Sequence, residues 1–111
     1  NQDVYDNRII GTMIAGNSNV LLPIAICQDG FITSHSIENI EILENDEVTK
    51  LVGKYNNKVN LLDKENPVTV GPLDLPTHLF EHKRLQVEAL ANAKKVFKEV
   101  SQEYEKISGR N

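Results

Sequence analysis

Tryptophan is missing from the 111 residues, and three Tyr and three Phe make up the whole aromatic content, 5% of the chain. Aromatic side chains bury the most area per residue, so their scarcity leaves a modest apolar payload, enough for one domain without much margin. Cysteine occurs once, at Cys27. A disulfide within the chain is therefore excluded, and an iron–sulfur cluster or structural zinc, each drawing about four ligands, would have to sit on another chain. Within its apolar run Cys27 is expected to be a small buried thiol. Long hydrophobic runs are also lacking. The longest, Val20 to Cys27, falls far short of the ~20 residues that cross a bilayer, and no basic-then-apolar leader opens the chain. No membrane contact is expected, and the expected compartment is the cytoplasm. The 12 Lys and Arg, set against 16 Asp and Glu for a net charge of −4, form no basic stripe, which argues against a nucleic-acid partner. Glycine-rich phosphate fingerprints are absent too, so nucleotide binding has no basis in the sequence.

What is present reads as helices around one apolar run. From Asp3 to Ala15 the residues Val4, Tyr5, Ile9, Ile10, Met13 and Ile14 recur at spacings of three and four, which predicts an amphipathic helix capped by Asp3 and stopped at Gly16-Asn17-Ser18-Asn19. Val20 to Cys27 is apolar without alternation, as suits a parallel strand covered on both faces, with Pro23 where no ladder amide is needed. The run breaks at Gln28-Asp29-Gly30 into a polar loop through Ser36, at the strand end where open α/β sheets bind ligands. Ile37 to Leu43 reads as an edge strand or a linker. Glu44-Asn45-Asp46-Glu47 opens a short helix with Val48, Leu51 and Val52 on one face, ending at Gly53. Tyr55 to Pro76 is loop text, interrupted by Pro67, Pro72 and Pro76, and so long an irregular stretch is expected to pack across another surface. The last helix, about Thr77 to Ile107, carries Val87, Leu90, Ala93, Val96, Phe97, Val100, Tyr104 and Ile107 and stops at Gly109. At ~1.5 Å per residue it spans roughly 45 Å, longer than a domain of this size is wide, so part of its apolar stripe should be covered from outside the chain.

Candidate chemistry is sparse. His78 and His82 lie one helical turn apart with Glu81 beside them, but the glutamate adjoins the second histidine, unlike the zinc-protease pattern, and no third ligand accompanies them. A solvated helix face is the expectation. Asp29, Ser34 and His35 share one short loop, which invites a small-hydrolase reading. Against it, a hydrolase sets its serine on a strained elbow and brings the histidine from elsewhere in the fold. Ligand or subunit contact through Asp29, Gly30, Phe31, Thr33, Ser34 and His35 is the sharper expectation. No catalytic, cofactor-binding or metal residue is assigned.

Two stretches carry a resemblance. Leu21-Leu22-Pro23-Ile24-Ala25-Ile26 followed by Asp29-Gly30-Phe31-Ile32-Thr33-Ser34-His35, and Leu62-Asp63-Lys64-Glu65-Asn66-Pro67-Val68-Thr69-Val70-Gly71, resemble the alpha subunit of pyruvate:ferredoxin oxidoreductases (pyruvate synthases). The helix with Glu88-Ala89-Leu90 and Val96 through Glu103 is similar to the one leading out of that family's first domain. Gln28 and Lys64 depart from its pattern.

The resemblance implies an α/β, partial thiamine-diphosphate-binding (Rossmann-like) fold, with one central parallel strand, peripheral loops and a long C-terminal helix. Residues 1–76 would be the C-terminal part of that domain, and 77–111 the helix leading toward the next. The implied activity is oxidative decarboxylation of pyruvate with coenzyme A, ferredoxin accepting the electrons. Thiamine diphosphate and Mg would serve the whole enzyme and iron–sulfur clusters would lie on other subunits, with none of these groups bound by this segment alone. The implied partners are the rest of the alpha subunit, the beta, gamma and delta subunits, ferredoxin and CoA. The competing reading is a small helical interaction module without catalysis, whose long helix docks on a partner.

Overall fold

The structure, a computed structural model, describes residues 1–55, 59–71, 73 and 75–110. Four helices follow one another: α1 (Gln2–Gly16), α2 (Ile32–His35), α3 (Asn45–Val52) and α4 (Pro76–Ser108). Each of the longer ones forms where the apolar spacing predicts. Asp3 does not cap α1, however. It lies inside the first turn, where its charge suits the helix dipole, and Asn1 holds the cap position. Asn17 closes the exit turn by accepting the Asn19 amide at 2.9 Å. In α3 the Glu47 carboxylate accepts the backbone amide of Glu44 at 3.0 Å, which satisfies a donor left over at the helix start, and Gly53 ends the helix with φ 67°. Pro76 begins α4, where its missing amide is no loss, and Gly109 terminates it in the left-handed region at φ 69°.

The core is small. Ile9, Val20, Val96, Val100 and Tyr104 are its buried side chains. Ile10, Met13, Ile14, Leu22 and Ala93 pack around Val20, Val96 and Val100, so α1 and the run after it lie against the C-terminal half of α4. α3 touches both helices. The N-terminal half of α4 projects beyond this cluster, with Phe80, Leu85 and Val87 exposed.

The radius of gyration is 17.4 Å, against ~13 Å for a compact chain of this length. The accessible surface is 9297 Å², roughly half again the ~6,200 Å² of a compact monomer of this mass. Large apolar side chains such as Ile37, Leu62 and Leu73 are among those left exposed.

Val20 to Cys27 departs from expectation. Among the described residues no strand forms, because a ladder needs a neighbouring strand and the chain supplies none. The run is extended, and burial alternates along it only in part: Val20 is buried, Leu22 and Ile26 are half-buried and Ile24 is 44% exposed although its Cδ1 lies over Gly11, while Leu21, Pro23, Ala25 and Cys27 face outward. One face is thus covered by α1 and α4, and the other is open. Cys27 is exposed, not buried, because it falls on the open face.

Gly11 lets this run come so close to α1. A Cβ there would stand 2.8 Å from Ile26 Cδ1 and 3.0 Å from Ile24 Cδ1. Both atoms are flexible side-chain ends, so Gly11→Ala should be nearly neutral, a helix gain of about 1 kcal/mol offset by the displacement. Gly11→Leu should destabilise by about 1–3 kcal/mol through overpacking. Thermal denaturation of the two variants checks the contrast; equal midpoints would show that the run does not seat on α1.

Residues 37–43 form a linker, not an edge strand, and side chains take the place of strand partners. Gln2 donates to the Glu41 carbonyl at 3.0 Å and accepts the Glu41 amide at 2.7 Å, and the Tyr5 hydroxyl accepts the Leu43 amide at 2.9 Å. Further on, Asp63 folds the loop by accepting the amides of Glu65 and Asn66 at 3.0 and 3.2 Å, and the Asn66 side chain first, then these amides, hold its carboxyl below the usual range. Gly71 has φ 82°; Pro72, its expected turn partner, lies outside the described residues.

Candidate functional site

The loop after the extended run owes its shape to Asp29. One carboxylate oxygen accepts the Phe31 amide at 3.0 Å and the other accepts the Thr33 amide at 2.7 Å. These amides lie at the start of α2, Phe31 at the cap position and Thr33 in the first turn, where helix donors otherwise lack partners. Hydrogen bonds from the Thr33 side chain, then from the Thr33 and Phe31 backbone, stabilise the ionised form and hold the Asp29 carboxyl at about 2, against an ordinary 3.8. Asp29→Ala should release both amides, seen as loss of hydrogen-exchange protection at Phe31 and Thr33. Because the folded value is depressed, the same release should set in for the unaltered chain as pH falls from about 4 toward 2. Protection unchanged over that range would remove Asp29 as the organiser of the turn.

Gly30 leads into α2, where Phe31 and Ile32 are exposed at 75% and 76%. The His35 ring stacks on Phe31 with centroids 5.3 Å apart. Ser34 Oγ lies 2.7 Å from His35 Nδ1. Asp29 spends both oxygens on backbone amides and is not paired with His35, so the three residues assemble no Ser–His–Asp relay. The loop instead presents an apolar tip with hydroxyl and imidazole groups beside it, chemistry suited to contact. Beneath it, Arg8, Gln28, Thr33, Ser34, Ile37 and Glu38 help line an open groove of about 630 Å³.

A Mg–diphosphate group needs several oxygen donors converging on a cation. Among the described residues no three His, Cys, Asp or Glu side chains gather closely enough to hold a metal. His78 and His82 lie on successive turns of α4 without a third such ligand. The described residues do not, by themselves, assemble a site for the cation of such a group. None of the described helices is long and apolar enough to cross a membrane.

A polar cluster around Asp6, one turn along α1 from the Asn1–Ser36 contact, had no sequence signature beyond a lone acid on an apolar face. Asp6 accepts from the Tyr104 hydroxyl at 2.6 Å, from Gln2 at 2.8 Å and from Arg110 at 3.0 and 3.1 Å. Burial opposes the charge on Asp6, but hydrogen bonds from Arg110, Tyr104 and Gln2 outweigh it and keep the carboxyl below its usual value. The Tyr104 hydroxyl is pushed up to about 12, first by burial and then by its bond to Asp6.

Comparison with known proteins completes the description. The family model for "Pyruvate flavodoxin/ferredoxin oxidoreductase, thiamine diP-bdg" matches residues 1–102. The pyruvate synthase subunit PorA of Thermotoga maritima is 46% identical over 110 residues, covering 99% of this chain and 28% of that protein. PorA of Methanocaldococcus jannaschii is 38% identical over 104 residues, or 94% and 27% of the two chains. The ketoisovalerate oxidoreductase subunit VorA of Pyrococcus abyssi is 32% identical over 111 residues, or 100% and 28%. The chain therefore spans little more than a quarter of the length of these relatives. With most of its length matched, it belongs to the pyruvate flavodoxin/ferredoxin oxidoreductase family, within the thiamine-diphosphate-binding α/β domain.

Proposed function

We propose that this chain is a structural and interface segment of the alpha subunit of a 2-oxoacid:ferredoxin oxidoreductase, one that converts pyruvate and CoA to acetyl-CoA and carbon dioxide while ferredoxin takes up the electrons. The observation that carries the reading is the 46% identity to a pyruvate synthase PorA along nearly the whole chain. The surface supports it, because an area roughly half again that of a compact monomer suits a segment covered by other protein.

In this reading residues 1–76 end the thiamine-diphosphate-binding-type domain and 77–111 lead toward the next. Val20–Cys27 becomes the central parallel strand once neighbouring strands pair with its edges and cover its outward face. Asp29, Gly30, Phe31, Thr33, Ser34 and His35 form a contact loop at a domain or subunit boundary. Thiamine diphosphate with Mg is held by residues beyond this segment, and the clusters by other subunits, a reading supported by the presence of one cysteine in this segment. Beta, gamma and delta subunits are the partners, ferredoxin and CoA the co-substrates, and the cytoplasm the compartment.

Tagged, the segment in its native subunit should recover larger partner chains together with pyruvate- and CoA-dependent reduction of a viologen dye. Recovery of a lone, monodisperse, inactive chain would overturn the proposal in favour of a small interaction module. The 32% identity to VorA along the full chain supports a second reading, in which the acid is branched. A higher kcat/KM for 2-ketoisovalerate than for pyruvate would establish that one. Retained activity in Ser34→Ala would dispose of a hydrolase using Ser34 and His35.

A further inference from the structure

Among the described residues no ladder holds the linker at residues 37–43, and one of the side chains that grip it comes from the far end of the chain. Gly109, in the left-handed conformation, turns the backbone out of α4 so that Arg110 points back toward α1. The Ser108 hydroxyl steadies that turn, accepting the Arg110 amide at 3.1 Å while donating to the Tyr104 carbonyl at 2.8 Å. The guanidinium then makes a two-point fork on Asp6, at 3.0 and 3.1 Å, and sits 5.9 Å over the Tyr104 ring. Its remaining donors reach outward, Nη1 to the Glu41 carboxylate and Nη2 to the Glu41 carbonyl, both at 3.2 Å.

Glu41 is thus gripped by α1 through Gln2 and by the end of α4 through Arg110. With no ladder to hold it, the linker depends on these grips for its course. We infer that Arg110 is a positioning residue, a latch that pins residues 37–43, and with them the loop ahead at Asp29 to Ser36, to the α1–α4 unit. A planar, permanently charged fork is needed, because it must satisfy Asp6 on one edge and Glu41 on the other. An ammonium group cannot offer both at once.

The inference concerns this chain's own contacts, and the proposed function enters only in choosing the assembled enzyme as the sample. Hydrogen exchange followed by mass spectrometry on that enzyme reads it directly, without reference to activity. Arg110→Gln should accelerate exchange at least tenfold in peptides covering residues 37–43, where the Glu41 and Leu43 amides reside. Peptides of α1 and of Val96–Tyr104, which keep their packing but lose the Asp6 fork, should accelerate much less, and Arg110→Lys should not restore protection in 37–43. Unchanged exchange in 37–43, or acceleration of equal size throughout α1 and α4, would overturn the inference. Should Arg110→Gln fail to assemble, Glu41→Ala leaves the Asp6 fork in place and removes only an outward grip. A smaller acceleration confined to 37–43 is then expected, and none there would again refute the latch.

Discussion

Tyr104→Ala is expected to lower the stability of the α1–α4 unit by about 3–5 kcal/mol, the range for removing a buried aromatic side chain. Tyr104 is only 1% exposed and is one of five side chains that make the core. In so small a core there is little neighbouring mass to close the cavity. The same change deprives Asp6 of its shortest hydrogen bond, at 2.6 Å. Tyr104→Phe separates the two effects: keeping the ring and losing the hydroxyl should cost about 1–2 kcal/mol. Urea unfolding of both variants checks the order, and equal losses would mean that the hydroxyl, not the ring, matters.

The pH dependence follows from the same pair. The Tyr104 hydroxyl is held protonated up to about 12 against an ordinary 10.0, so its contribution is whole below pH 10 and disappears as pH rises toward 12. Asp6, held below its ordinary 3.8, contributes above that value and loses its contribution as pH falls beneath it. Unfolding midpoints should therefore decline on both the acid and the alkaline side. Tyr104→Phe should abolish the alkaline decline and, by taking one hydrogen bond from Asp6, only lessen the acid one.

Replacing Phe80 and Val87 together by Asp should reduce recovery of the partner chains by more than a hundredfold. Phe80 is 77% and Val87 65% exposed here. They stand seven residues apart and so share one face of α4, while Val96, nine residues beyond Val87, lies about half a turn away in the core. The N-terminal half of the helix therefore carries apolar side chains on a face that this chain does not cover. In the assembly such a face would be dry, and an unpaired carboxylate there costs several kcal/mol. Co-purification measures the loss. Undiminished recovery would place Phe80 and Val87 in solvent and return α4 to a role within this segment.

Local pattern was enough to read most of the helices. Apolar spacing marked α1 and α4, the Glu44–Glu47 start and Gly53 stop marked α3, and Gly109 marked the end of α4, because each depends on neighbours a few residues away. The family was legible too, in the words around Asp29-Gly30-Phe31 and Asn66-Pro67. Asp29 was read as a break and contact residue, and only the structure shows its carboxylate reaching amides two and four residues ahead, although such a contact is a local matter. The Ser34–His35 pair looked more like chemistry in sequence than in space, because adjacency along the chain does not direct a third residue toward it.

What composition and pattern determined by themselves is the three longer helices and the lack of cysteine ligands for a cluster, while the family came from the resemblance of two stretches of sequence. Tertiary structure alone decided the rest. Whether Val20–Cys27 pairs as a strand depends on neighbours that are not among these residues. The exposure of Cys27 follows from which face of that run meets α1, a choice made possible by the bare backbone of Gly11. The joining of Asp6, Glu41, Tyr104 and Arg110, residues up to 104 positions apart, is set by how two helices lie against each other, a relation that no local spacing encodes.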